Sequence, residues 1–308
     1  MEVKQVVFRI FIILVIVGLA LVNEANHCLA HDDAEWNPSS AGPLITWTAP
    51  LCDQGKFVIQ PFFFYNRAMG TFNENGYYEP LPSGEQRYQF QEILFMQYGI
   101  TERLEIDGQL IYQQNYANEN TLNADTSGLS DSNIFLKYCV AEEEGWLPQV
   151  TALFQLKLPT GKYQNLDPGK LETDLMGTGS WDHGYGIILT KKLRPFLLHL
   201  DAVYNFPLET QVDNIQRQYG EYLICDAGIE YFLPAGFSLM MELNSVLIGS
   251  TKESGKYMPN SAIKYLSIGS GLGWSNEVLQ VFLGYQKTIN GTNIDAIDSI
   301  AFDFVYTF

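Results

Sequence analysis

The final thirteen residues, Ala296-Ile297-Asp298-Ser299-Ile300-Ala301-Phe302-Asp303-Phe304-Val305-Tyr306-Thr307-Phe308, alternate with a period of two. Ile300, Phe302, Phe304, Tyr306 and Phe308 fall on one face, and Ser299, Ala301, Asp303, Val305 and Thr307 on the other. Successive side chains of a strand point to opposite sides, so this stretch reads as a strand with one apolar wall and one mixed wall. The segments before it carry the same signature. In Glu277–Lys287, Leu279, Val281, Leu283 and Tyr285 oppose Gln280, Phe282, Gly284 and Gln286. In Gly236–Leu247, Phe237, Leu239, Met241 and Leu243 oppose a set that includes Glu242 and Asn244. In Ala262–Trp274, Leu266, Ile268, Ser270, Leu272 and Trp274 oppose Ser267, Gly269, Gly271 and Gly273, small residues that leave room on their side.

Working back to Lys56, the chain divides into twelve such segments: Lys56–Asn66, Arg87–Tyr98, Arg103–Gln113, Asp131–Val140, Gln149–Leu158, His183–Lys191, Pro195–Phe206, Glu221–Leu233, Gly236–Leu247, Ala262–Trp274, Glu277–Lys287 and Ala296–Phe308. None keeps a helical period. Short links at Gly99–Glu102, Ala141–Pro148, Lys192–Arg194, Pro234–Ala235 and Ser275–Asn276 alternate with longer polar ones. Those fall at Arg67–Gln86, Gln114–Ser130, Pro159–Asp182, Pro207–Gly220, Ile248–Ser261 and Thr288–Asp295, although Ala141–Pro148 and Thr288–Asp295 are equal in length. A soluble β-sandwich mixes loop lengths and uses Greek-key crossovers. An even strand number, strands of about ten residues, short turns at one end and long loops at the other predict an all-β, up-and-down transmembrane antiparallel barrel of about 12 strands. Tyr98, Tyr138, Tyr204, Tyr231 and Trp274 lie near segment ends, where barrels carry aromatic girdles. The long loops are expected to cover part of one mouth.

Composition agrees. Of 308 residues, 18 are Lys or Arg and 35 Asp or Glu, a formal net charge of -17, and only 17% are charged in all. There is no clustered basic footprint, so nucleic acid is not an expected partner. Lys4 and Arg9 precede an apolar run from Ile10 to Val22 and then Cys28-Leu29-Ala30. That order predicts a secretory signal peptide over residues 1–30, cut after Ala30 or after Ala25. Residues 31–55 are then expected as a periplasmic N-terminal segment and 56–308 as the barrel. If the cut follows Ala30, Cys52, Cys139 and Cys225 remain, widely spaced and odd in number, and read as small apolar residues and not as a disulfide framework.

The terminal strand resembles that of outer-membrane proteins, in which an aromatic last residue and apolar residues at alternate positions are recognised by the insertion machinery. That likeness assigns the signal to Phe304, Tyr306 and Phe308, and outer-membrane lipid and the barrel-insertion machinery as partners. A second likeness is carried by the middle third. Leu158-Pro159-Thr160-Gly161, then Gly177-Thr178-Gly179-Ser180-Trp181-Asp182, and Gly128-Leu129-Ser130-Asp131-Ser132-Asn133 leading into Ile134–Tyr138, resemble the outer-membrane transporters grouped under the meta-pathway of phenol degradation. The resemblance implies an envelope channel associated by name with aromatic compounds. Its motifs are turn chemistry and speak to fold more than to cargo.

The inner faces supply the candidate pore lining. Glu105, Asp107, Asp131, Asp201, Asp226, Glu230, Glu242 and Asp303 point inward, with Lys137, Lys157 and His199 as the basic groups. Asp107, Lys137, Asp201, Asp226, Glu242 and Asp303 are expected near mid-height. Such a belt either favours cations and steers polar solutes, or is simply solvated and paired within the wall. Phe62, Phe64, Phe95, Phe135, Phe232, Met240 and Phe282 are also expected to face inward. They either offer stacking surface to aromatic solutes or plug a small barrel by packing. Three histidines beyond residue 30 make a metal centre improbable, and no cofactor cradle is present. Ser180, Asp182 and His183 have the residue types of a nucleophile set, so a lipid hydrolase stands as the lesser enzymatic alternative. The expected function is passive uptake of a small aromatic or hydrophobic solute; the alternative is a structural or surface-interaction barrel.

Overall fold

The computed structural model describes Trp36, Pro38, Ser40 and residues 42–119, 122–276 and 278–308. The expected signal peptide lies outside the described residues. Twelve strands form the wall: β1 (Phe57–Phe72), β2 (Gln86–Thr101), β3 (Leu104–Glu119), β4 (Ser132–Ala141), β5 (Gln149–Leu158), β6 (Asp182–Leu193), β7 (Phe196–Pro207), β8 (Tyr222–Phe232), β9 (Phe237–Ile248), β10 (Ile263–Ser275), β11 (Leu279–Thr292) and β12 (Ile294–Thr307). Each pairs antiparallel with its sequence neighbour, and β12 returns to β1 in register from Val58↔Thr307 to Phe72↔Ile294. Closure leaves no unpaired edge among these strands, the condition for crossing a bilayer with β structure.

The alternation decides the two walls. Phe63, Leu94, Leu110, Leu136, Phe154, Ile187, Leu239, Leu243, Leu272, Leu283 and Phe302 are exposed on the outside, while inward neighbours such as Phe95, Phe135, Leu153, Ile188, Met240, Phe282 and Asp303 are buried. Phe302 and Phe308 fall on the outer face as read, Phe308 N donates to Phe57 O at 2.9 Å, and its ring lies 4.7 Å from that of Tyr306.

Several loops differ from expectation. The link at Thr288–Asp295 is a tight hairpin: β11 runs to Thr292 and β12 starts at Ile294. At Gln114–Ser130, a further strand, Leu122–Leu129, pairs with β3 from Tyr112↔Leu129 to Glu119↔Leu122. Strands continue as hairpins past the apolar band, where neither face is apolar and the period is lost to the eye. Beyond the barrel, Thr210–Val212, Ile215–Gln218, Lys252–Glu253 and Lys256–Tyr257 form a separate four-stranded sheet.

The principal correction concerns the start of the chain. Residues 31–55 are expected outside the barrel, in the periplasm; instead Ser40 and residues 42–52 lie in the interior, hydrogen-bonded to six strands. The reason is chemical. This extended segment has no sheet partner for its backbone, and the inward carboxylates and hydroxyls supply the acceptors it lacks.

Candidate functional site in the barrel lumen

The segment is held residue by residue. Ser40 Oγ donates to both oxygens of Glu230 at 2.8 Å. Ile45 N and Thr46 N reach Glu242 Oε1 at 2.9 Å, and Thr46 Oγ1 reaches the same oxygen at 3.0 Å. Trp47 N donates to Asp201 Oδ2 and Ala49 N to Thr190 Oγ1, each at 2.9 Å. Thr151 Oγ1 donates to Ala49 O at 2.6 Å, and Cys52 N donates to Glu105. Hydrogen bonds to a charged acceptor are about twice as strong as neutral ones, so these carboxylates are the main anchors.

Wall glycines make the space. A side chain at Gly284 would begin 2.0 Å from Leu44 Cδ1, and one at Gly228 would begin 2.8 Å from Pro43 Cγ. The room that the small inner residues of β10 and β11 leave is thus filled by the chain's own segment.

The aromatic residues divide into two sets. Trp47 lies 4.9 Å from Phe135 and 5.7 Å from Phe95, edge to face, in a buried cluster with Ala49, Leu153, Ile188 and Val203. Phe282 and Met240 pack with Val58 and Val305 beside Leu44. Phe62 and Phe64 stack at 6.1 Å and border a cavity of about 410 Å³ on the loop side of the segment. Trp47, Phe95, Phe135, Lys137, Asp226, Asn244 and Tyr265 also line it. Phe232 pairs with Trp36 at 5.8 Å.

The basic residues are paired. Lys137 bridges Glu105 and Asp107, the latter at 3.2 Å, with its ammonium 5.5 Å from the Trp47 ring centre. His199 Nε2 is 3.0 Å from Glu230 and Nδ1 is 3.0 Å from Thr190 Oγ1. Lys157 and Asp131 belong to a network at the foot of the 159–181 loop, away from the cavity. Lys157 Nζ is 2.7 Å from Asp182 and donates to Thr178 Oγ1 at 2.6 Å and Ser180 Oγ at 3.3 Å. Asp131 accepts from Gly161 N at 3.1 Å and Thr178 N at 2.9 Å, tying the three quoted motifs together as a loop anchor.

The same network answers the enzymatic reading. Ser180 Oγ donates to Asp182 at 2.7 Å, but His183 stacks on Phe206 at 5.3 Å and contacts Tyr185, whose side chain is on the outer face. The three residues are not assembled as a nucleophile, base and orienting acid. Among the described residues, no group of three or more His, Cys, Asp or Glu is placed to hold a metal.

Trp47 and the Ser40–Cys52 segment, the centre of the site, escaped the sequence reading. One signal was present: Pro43-Leu44-Ile45 and Trp47 are too apolar for a segment left in solvent.

No protein-family model matches the chain, and no curated protein matches it in sequence. Solved structures do. The crystal structure of an outer membrane channel from Pseudomonas putida F1 superposes with a TM-score of 0.70 at 16% identity, covering 89% of this chain and all of that one. The NanC porin aligns at 0.46 and 8% identity, covering 80% of this chain and 98% of its own. The CymD monoaromatic hydrocarbon channel aligns at 0.45 and 10% identity, covering 83% and 89%. The first of these shows that this chain has the fold of an outer-membrane barrel.

Proposed function

We propose that this protein is an outer-membrane channel that admits small aromatic or hydrophobic solutes by diffusion, with its own N-terminal segment as the closing element. The observation that carries the reading is the ring-lined cavity, floored by a segment that only hydrogen bonds and packing hold in the lumen. A barrel built only for strength has no use for a separate, non-ladder segment in its interior, since inward side chains of neighbouring strands fill a small barrel unaided. The apolar outer wall and the short-turn, long-loop asymmetry support the membrane setting. A second cavity, of about 590 Å³, lies where the loop-side ends of β1, β2, β3 and β12 meet Leu171–Thr173 of the 159–181 loop, with Arg87 paired to Asp295 at 3.3 Å beside Asn66, Gln89 and Asn115.

Proteoliposomes test the reading. Vesicles carrying the protein should admit 2-phenylethanol and similar uncharged aromatics faster than protein-free vesicles, and faster than polyols of equal size. Equal rates with and without protein would refute a channel. Equal acceleration of aromatics and polyols would leave a channel but remove its preference.

A further inference from the structure

Asp201, Asp226, Glu242 and Asp303 are each nine-tenths buried or more. Among the described residues, none has a lysine, arginine or histidine within ion-pair distance, unlike Glu105, Asp107, Asp131, Asp182 and Glu230. Asp201 and Asp226 lie directly opposite on β7 and β8, and Asp226 opposes Asn244, two residues along β9 from Glu242. Their partners are neutral donors: Trp47 N on Asp201, the Asn244 amide on Asp226, the segment backbone on Glu242 and the Gln60 amide on Asp303. Asp201 Oδ1 and Asp303 Oδ1 have no hydrogen-bond partner at all. A buried carboxylate without counter-charge is costly, so this side of the lumen is short of positive charge.

The cavity joins that deficit to the rings. Phe62, Phe64, Phe135 and Trp47 form one side, and Asp226, with Asn244 and Tyr265, faces them across about 410 Å³, within the ~300–1,000 Å³ usual for small-molecule sites. Lys137 also borders it but is spent on Glu105 and Asp107, so it offers no free counter-charge to an anion. Ring faces attract cations, and a desolvated carboxylate completes an aryl-cation site.

We propose that this cavity binds a small aromatic cation, an arylalkylammonium, its ring against Phe62, Phe64 and Phe135 and its ammonium on Asp226, with Asp201 and Glu242 supplying field from behind. This deepens the channel reading by naming the charge class of the solute: cationic, tolerating neutral, excluding carboxylated aromatics. Three near-isosteric probes separate the classes on the full-length protein in detergent, read by titration calorimetry and Trp fluorescence: phenethylammonium, 2-phenylethanol and 3-phenylpropionate. Phenethylammonium should bind at least tenfold tighter than 2-phenylethanol, and 3-phenylpropionate weakest. Asp226→Asn should cut ammonium affinity at least tenfold and leave 2-phenylethanol within twofold. Ammonium and alcohol binding equally, propionate binding as tightly as ammonium, or no binding of ammonium would overturn the proposal on the unmodified protein, whatever the variant's yield. Flux and binding fail separately: ammonium binding without flux sinks the channel, and flux of neutral aromatics without ammonium preference sinks only this site.

Discussion

Glu242→Ala removes the strongest anchor of the lumen segment. One carboxylate oxygen accepts from Ile45 N, Thr46 N and Thr46 Oγ1 at 2.9, 2.9 and 3.0 Å. Hydrogen bonds to charged groups contribute about 1.5–3 kcal/mol each, but these three share one acceptor. Removing the carboxylate also relieves a buried, uncompensated charge, which offsets part of the loss. A net weakening of docking by about 3 kcal/mol follows, close to a hundredfold in the docked-to-released ratio. Glu242→Gln keeps a neutral acceptor and is expected to cost about 1 kcal/mol, a change of about fivefold. The assay is maleimide labelling of Ala49→Cys, a position with no exposure in the docked state, in a background where Cys28, Cys52, Cys139 and Cys225 are Ser. Labelling should accelerate strongly in Glu242→Ala and modestly in Glu242→Gln, with heat-modifiable migration of the barrel unchanged. Rates within threefold of the parent in Glu242→Ala would refute the carboxylate-anchor reasoning.

Other expectations follow from single contacts. Gly284→Val places atoms where Leu44 Cδ1 now sits, so it should release the segment and raise bilayer conductance while the barrel still forms. Asp174, in the 159–181 loop, is buried, which raises its carboxyl, but hydrogen bonds from Lys162 and Asp167 N outweigh this and hold it below the usual carboxylate range. A depressed carboxyl stabilises above its unfolded pKa of about 3.9 and loses that contribution as pH falls through the folded value. Amide exchange at Asp167, corrected for intrinsic rate, should therefore stay protected from neutral pH to about 4 and rise below it, and Asp174→Asn should abolish that step. Phe308→Ala should lower the yield of heat-modifiable barrel in outer-membrane fractions; unchanged yield would remove Phe308 from the insertion signal.

What was legible in the sequence was the wall. A strand with lipid on one side and lumen on the other writes its geometry into a period of two, and Ala296–Phe308 or Gly236–Leu247 can be placed from that alone. Strand ends past the apolar band were not legible, because Gln114–Asn118 and Asn123–Ser127 are polar on both faces yet pair as a hairpin. The inward carboxylates were found by parity, but their use was not. Glu242 serves residues nearly two hundred positions away, and no local pattern encodes a backbone N–H seeking a distant acceptor. Phe95 and Phe135 face inward and border the cavity, but their packing on Trp47 was not legible for the same reason.

The central claim is that the N-terminal segment closes the lumen reversibly. Ala49 N and Thr190 Oγ1 are in contact at 2.9 Å, and a cysteine at each position, with the four native cysteines replaced by Ser, is designed to tie the segment to the wall. Conductance of this pair in planar bilayers should fall to background when oxidised and recover on reduction, with no redox response in either single variant. Conductance that is the same in oxidised and reduced protein, with the crosslink confirmed by mass, would contradict the account.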